Sequence, residues 1–317
     1  MNEIFFLFFA FFTVFLSVKI SYYADSLSKT SGISGALIGG IVLAGVTSLP
    51  EFVTCFSAIL VGNPLLATGD VLGSNLFNLF MVCFFDLVFL RKMIFTRSSR
   101  SHNLVLLLLV INYIVLYLFV LDIFSFSFLT IGVPSLFIFI SYLFYIKSIS
   151  KYNDSFSEKS NNSSNAFLKL IVSSILMIMS SVCLTVIVNN LSIIYPSFSS
   201  GFLGAIFLGV TTSLPEVITF YTLINLDNYD LAISNILGSN LFNLLVLSIG
   251  DFLFLKNAIY NFVDSETRII VVLGLCFSLL CLWSNNRKNV YNGFSYGILS
   301  FLVVFAYLFF WIFNFCY

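Results

Sequence analysis

Two glutamates, Glu51 and Glu216, stand in strongly apolar stretches. Each closes the same short string: Thr47-Ser48-Leu49-Pro50-Glu51 in one place and Thr212-Ser213-Leu214-Pro215-Glu216 in the other. A carboxylate at membrane depth is costly, so it faces a cavity or a partner and marks an ion or proton path. A helix-end carboxylate neutralised by a base is the structural alternative, but no Lys or Arg lies nearby within either repeated segment. A cation from solution, or a proton, is the compensation that remains. Each proline lacks an N–H and clashes with the carbonyl four residues earlier, which predicts freed carbonyls at Val46 and Thr211. Such carbonyls are tolerated at depth where they line a polar cavity, and there they coordinate cations. The Thr and Ser hydroxyls add oxygens in the same turn.

A second polar group follows each glutamate. Asp70, Ser74 and Asn78 are spaced four apart and share one predicted helix face, as do Asn235, Ser239 and Asn243. Gly73 and Gly238 predict either a break or a close helix approach. The inventory is hard oxygen. Ca²⁺ takes about six to eight oxygens in flexible geometry, whereas Mg²⁺ keeps its waters and a strict octahedron. No His joins these strings and the cysteines lie off the repeated polar face, which argues against Zn²⁺ and Cu⁺. Two carboxylates neutralise one Ca²⁺. The same oxygens suit Na⁺, and competition for shared ligands suffices for exchange.

The elements that position these groups form a repeat. Residues 47–79 align with 212–244 at a constant offset of 165 without a gap, and 18 of the 33 positions are identical. The identity includes the whole run from Leu72 to Leu79, matched by Leu237 to Leu244. The solvent around them is lipid. Of 317 residues 60% are hydrophobic and 9% charged, with a mean hydropathy of +1.06, beyond what a soluble fold hides. The net charge of zero leaves no basic footprint for nucleic acid. No P-loop string occurs, so transport draws on an ion gradient or a separate subunit. The six cysteines read as small buried hydrophobes, and His102 as a solvated loop residue.

Ten apolar segments predict an all-α membrane protein: about 4–22, 33–60, 65–90, 103–121, 126–147, 166–190, 198–225, 230–254, 268–284 and 292–315. The Ser/Asn-rich stretch 148–165 divides the chain into 1–147 and 166–317, five predicted helices each. Five is odd, so the second copy enters the membrane inverted, an arrangement typical of secondary transporters. With the N-terminus outside, the inner loops and helix ends hold Lys19, Lys29, Arg91, Lys92, Arg97, Arg100, Lys147, Lys151, Lys159, Lys169, Arg287 and Lys288. The outer ones hold Lys256 and Arg268 alone. That asymmetry predicts both termini outside the cell membrane and a cytoplasmic linker.

The paired strings A-G-V-T-S-L-P-E with G-D-V-L-G-S-N-L-F-N, and G-V-T-T-S-L-P-E with S-N-I-L-G-S-N-L-F-N, resemble the two α-repeats of the calcium/cation antiporter superfamily, and within it the sodium/calcium exchangers. The resemblance spans the chain. It implies ten transmembrane helices as two inverted five-helix repeats, with spans 2, 3, 7 and 8 as a compact core. Glu51, Asn78, Glu216 and Asn243 would sit at its centre. Thr47, Ser48, Ser74, Thr212, Ser213 and Ser239, with backbone oxygens near Ala44 and Gly209, would complete the ion sites. Spans 1 and 6 would slide across this core. Many members carry Asp where this chain has Asn243. Asp70 is a second departure: it either supplies a third carboxylate or lines the vestibule, and the vestibule is the reading taken.

The chain is thus expected to be a secondary antiporter exchanging Ca²⁺ for Na⁺, with no cofactor and with lipid and the transported ions as its partners. The Thr and Ser hydroxyls rank sodium ahead of the alternative, H⁺/Ca²⁺ antiport. A cation channel or a non-transporting membrane protein is disfavoured by the inverted pair within one chain. No nucleophile–base pair suggests an enzyme.

Overall fold

In the computed structural model, residues 2–30, 37–121, 123, 127–128, 130–150, 162–194, 209–287 and 293–316 are described. Residues 151–161 of the predicted linker, 198–208 of the seventh predicted span, and Lys288 lie outside them. The protein is built almost wholly of helix. In chain order the helices are α1 (Asn2–Thr30), α2 (Ala44–Thr47), α3 (Leu49–Leu60), α4 (Pro64–Val88), α5 (Ile94–Arg97), α6 (His102–Val120), α7 (Val133–Ser150), α8 (Asn162–Ile194), α9 (Gly209–Thr212), α10 (Leu214–Asn225), α11 (Tyr229–Leu253), α12 (Ser265–Asn286) and α13 (Gly293–Cys316). A π-helical turn, Ile38–Leu43, precedes α2.

Six of these helices are long and apolar enough to cross a membrane, and the bent unit of π turn, α2 and α3 makes a seventh. Large apolar side chains such as Phe11, Ile140, Phe305 and Ile312 face outward, where lipid is their solvent. The same physics explains Cys276, which is exposed rather than buried as expected.

Three expectations shift at their edges. α1 continues past residue 22 to Thr30, so Lys19 and Lys29 belong to a helix and not a loop. Long stems let both cations reach a polar boundary while the helix continues: Lys19 lies over the Phe15 ring and Lys29 pairs with Asp25 at 2.8 Å. The fifth span, expected from residue 126, becomes helix only at Val133. Before it, β1 (Ser127–Phe128) pairs antiparallel with β2 (Ile131–Gly132), and Pro134 occupies the first helical turn, where its missing N–H costs nothing. His102 is buried at the start of α6, with Nε2 3.1 Å from an Asp230 carboxylate oxygen, and is no solvated loop residue.

The sequence repeat is copied in local structure. Asn63 caps α4 by accepting from the Leu66 N–H, and Asn228 caps α11 by accepting from Leu231 N–H. The chain enters each helix through a left-handed residue, Gly62 (φ 79°) in one half and Asp227 (φ 56°) in the other. Near the far ends, Asp86 accepts from the Ile94 N–H at 3.2 Å and Asp251 from the Ile259 N–H at 2.8 Å. α4 and α11 pack against each other at the centre and are the most buried of the candidate spans. α1 and α8 form a separate pair, joined by Thr13 and Ser180 hydroxyls 2.8 Å apart.

Candidate ion-binding site

Each glutamate begins a helix. The chain leaves helical geometry at Ser48 (ψ 12°) and Ser213 (ψ 4°), then restarts as α3 and α10 with Pro50 and Pro215 in the first turn. The proline therefore does not kink a continuous helix, as expected; it opens a new one, where its absent N–H is harmless. Glu51 and Glu216 follow it at the positive end of the new helix dipole. The first unit bends by 48° at the break. The carbonyls of Val46 and Thr211, expected to face the site, are not the ones its hydroxyls reach, and the Ser48 N–H donates to the Ala44 carbonyl at 3.0 Å. The carbonyls that instead face the site are those of Ala44 and Gly209, one turn earlier.

Across the interface the two halves exchange equivalent contacts. Ser48 donates to Glu216 Oε1 at 2.9 Å, and Ser213 donates to Glu51 Oε1 at 3.0 Å. Ser74 donates to the Gly209 carbonyl at 3.1 Å, with its hydroxyl 3.3 Å from that of Thr212. Ser239 reaches the Ala44 carbonyl at 3.5 Å, with its hydroxyl 3.3 Å from that of Thr47. Every partner differs by 165 from its counterpart, which is the geometry of a pseudo-two-fold axis through the site. Gly73 and Gly238 serve close approach, not breaks, since α4 and α11 run through both unbroken. A Cβ on Gly238 would stand 2.3 Å from the Gly40 carbonyl oxygen.

All of these side chains are buried, and four of their oxygens have no hydrogen-bond partner: Glu51 Oε2, Glu216 Oε2, Asn78 Oδ1 and Asn243 Oδ1. Buried polar atoms are normally paired, so this symmetric quartet of orphaned acceptors is a set of oxygens that a cation could satisfy. Among the described residues no three His, Cys, Asp or Glu converge as a metal cluster; the oxygens gathered beside the two carboxylates are those of amides, hydroxyls and backbone carbonyls.

Two residues that the sequence did not single out decide which atom the amides present. Asn78 Nδ2 donates to Asn240 Oδ1 at 2.9 Å, and Asn243 Nδ2 donates to Asn75 Oδ1 at 3.1 Å. Asn75 and Asn240 in turn donate to each other's backbone carbonyls, both at 3.0 Å. With their N–H groups thus engaged, Asn78 and Asn243 can offer only oxygen to the cavity. The hint was in the sequence, because Asn75 and Asn240 belong to the identical G-S-N-L-F-N run, but their spacing places them off the Asp70–Ser74–Asn78 face.

A family model described as sodium/calcium exchanger protein matches residues 3–147 and 165–315. The chain belongs to this family. It is 27% identical over 304 residues to the inner membrane protein YrbG of Escherichia coli (strain K12), covering 90% of this chain and 89% of that one. Its fold matches the sodium-calcium exchanger NCX_Mj soaked with 2.5 mM Na⁺ and 10 mM Sr²⁺, with a TM-score of 0.74, 17% identity and 97% of each chain covered. The same protein soaked with zero Na⁺ and Ca²⁺ matches with a TM-score of 0.68 and 15% identity, over 96% of this chain and 98% of that one. The exchanger is a secondary transporter of cations, not an enzyme, built on two repeats in the membrane.

Within this exchanger Asp70 is placed apart from the quartet. It lies one turn before Ser74 on α4, is 1% exposed, and accepts a hydrogen bond from Thr54. A water-lined vestibule position would be exposed; Asp70 is not. Its counterpart Asn235 accepts from Thr47 at 3.4 Å.

Proposed function

We propose that this exchanger carries Ca²⁺ in one direction and Na⁺ in the other by alternating access, using one set of oxygens for both. The observation that carries the reading is the orphaned quartet of Glu51, Glu216, Asn78 and Asn243 on the pseudo-two-fold axis. Two carboxylates balance one Ca²⁺, and the surrounding amide and hydroxyl oxygens suit its flexible shell. On either side of that position stands a smaller oxygen group: Ser74, Thr212 and the Gly209 carbonyl, and Ser239, Thr47 and the Ala44 carbonyl. Each holds neutral oxygens beside a glutamate, which fits a singly charged ion. A Ca²⁺ between the glutamates and Na⁺ ions in the flanking groups would draw on the same carboxylates, so filling one disfavours the other. A pseudo-two-fold site can open to either side at similar cost. The α1–α8 pair, packed as a unit beside the core, is the part that would move. The Lys and Arg distribution supports a reading with ten crossings, both termini outside and the linker in the cytoplasm.

The test is Ca²⁺ uptake by vesicles carrying the purified protein. An imposed outward Na⁺ gradient should drive uptake, and a pH gradient alone should not. Uptake that follows pH and ignores Na⁺ would replace sodium by the proton as counter-ion.

A further inference from the structure

Among the described residues six carboxylates are buried. Asp25 pairs with Lys29, and Asp86 and Asp251 accept hydrogen bonds at both oxygens, which leaves Glu51, Glu216 and Asp70 each with an unpartnered oxygen. The ion pairs among the described residues are Lys29–Asp25, Lys92–Asp227 and His102–Asp230, so none of the three is balanced by a base there. A Ca²⁺ balances two. The third needs a proton or a unit cation of its own, because an uncompensated buried anion is strongly destabilising.

The surroundings of Asp70 are shaped for such a charge. Thr54 donates to one carboxylate oxygen, and the other, Oδ1, has no partner. The Thr54 hydroxyl also lies 3.1 Å from the Pro50 carbonyl and 3.0 Å from that of Glu51. It therefore links Asp70 to the turn that carries Glu51. On its other side, Asp70 abuts one of the flanking oxygen groups: a Cβ on Gly209 would stand 3.2 Å from the Asp70 carbonyl oxygen and 2.9 Å from Ser74 N. Asp70 thus stands one helical turn from Ser74, with its backbone against Gly209 and its carboxylate tied through Thr54 to the turn that carries Glu51. The mirror position lacks all of this. Asn235 turns its oxygen to Thr47 and leaves Nδ2, a donor, unpartnered, while Thr219, the counterpart of Thr54, has an unpartnered hydroxyl.

We infer that Asp70 and Thr54 form an additional station for a singly charged alkali cation, present in the first half only, which feeds the Ser74–Gly209–Thr212 group. Asp70 lies in the part of α4 near Pro64, the outer end by the Lys and Arg distribution, whereas Asn235 lies in the inner part of α11. The station thus gives the outer approach a charge that the inner approach lacks, and makes the two faces unequal in cation affinity. This inference rests on the cation-exchange reading above.

The experiment measures half-activating Na⁺ on each face separately, in right-side-out and inside-out vesicles of the full-length exchanger. The outer-to-inner ratio does not depend on how much of a variant folds. Asp70→Asn should raise the outer value on the order of tenfold, ~1.4 kcal/mol, and leave the ratio close to unity. Asn235→Asp should lower the inner value. An unchanged ratio in Asp70→Asn, or a shifted pH dependence with unmoved Na⁺ values, overturns the station while leaving Na⁺/Ca²⁺ exchange intact. Absence of Na⁺-driven exchange in the unmodified protein sinks the function itself. Should Asp70→Asn carry no flux, stabilisation of the purified protein by NaCl decides. A thermal shift smaller than that of the unmodified protein supports the station, and an equal shift refutes it.

Discussion

In the first half Ser48 reaches across to Glu216 at 2.9 Å; in the second, Ser213 reaches back to Glu51 at 3.0 Å. Asn75 and Asn240 mirror each other in the same way. One turn away the agreement ends. Thr54 holds a buried carboxylate on Asp70, while Thr219 and Asn235 each leave a polar atom unpaired. The symmetric part is what an alternating site requires, because inward and outward states exchange the roles of the halves. The asymmetric part breaks no helix and moves no neighbour of the quartet. Among the charged and amide side chains of these two helix faces, the difference falls at Asp70 and Asn235 and spares the quartet.

The sharpest way to break the comparison is to remove one charge from each half. Glu51→Gln and Glu216→Gln should each bring Ca²⁺ uptake to background, since losing one partner of a buried charge contact costs ~2–5 kcal/mol. Normal uptake in either variant would show that the halves do not share one ion. Next in size are the orienting amides. Asn75→Ala and Asn240→Ala each strand a buried N–H of the opposite half, at ~1–3 kcal/mol, and free Asn243 or Asn78 to turn. Apparent Ca²⁺ affinity should fall by the same factor in both, and a large inequality would place the site off the axis.

Backbone approach offers a smaller contrast. The first half carries Ala44 where the second has Gly209. In Gly209→Ala the new Cβ would meet Ser74 N at 2.9 Å, so a loss of about 1–3 kcal/mol is expected, read as a lower thermal midpoint in detergent. An unchanged midpoint would mean that the second half tolerates alanine as the first does. The smallest effect lies at the turns before α4 and α11, where Asp227 replaces Gly62. The Tyr229 hydroxyl and Lys92 hold the Asp227 carboxyl below its ordinary range. A lowered folded pKa contributes stability above the unfolded value, near 3.9, and that contribution disappears as pH falls through the folded value. Asp227→Asn should flatten slightly the acid limb of a stability–pH curve, and leave its neutral limb the less stable by a small margin.

Much of this was legible in the chain. The 165-residue offset identified the two glutamates, the Ser and Thr hydroxyls and the amides Asn78 and Asn243, because a duplicated string in lipid leaves few reasons for a polar side chain. The offset even extends to caps and loop anchors such as Asn63, Asn228, Asp86 and Asp251. Other features were not legible. The effect of Pro50 is not legible because a proline fits both a kinked helix and the first turn of a new one, and the chain chooses between them by where Ser48 leaves helical geometry. The burial of His102 is not legible because its partner, Asp230, is distant in sequence. The early end of the ribbon before α7 follows from pairing of Ser127–Phe128 with Ile131–Gly132, too short a pattern to register against an apolar background.

By itself, then, the sequence determined that the protein lives in lipid, that it is a duplicated unit, and which oxygens are available to a cation. Composition and repetition are local properties and survive without coordinates in space. Only the tertiary structure decided which oxygens remain unsatisfied, that Asn75 and Asn240 turn two amides to present their carbonyl oxygens, and that Asp70 is buried against Thr54 instead of standing in an open vestibule. Hydrogen-bond satisfaction is a property of three-dimensional neighbours, most of them about 160 residues apart in this chain.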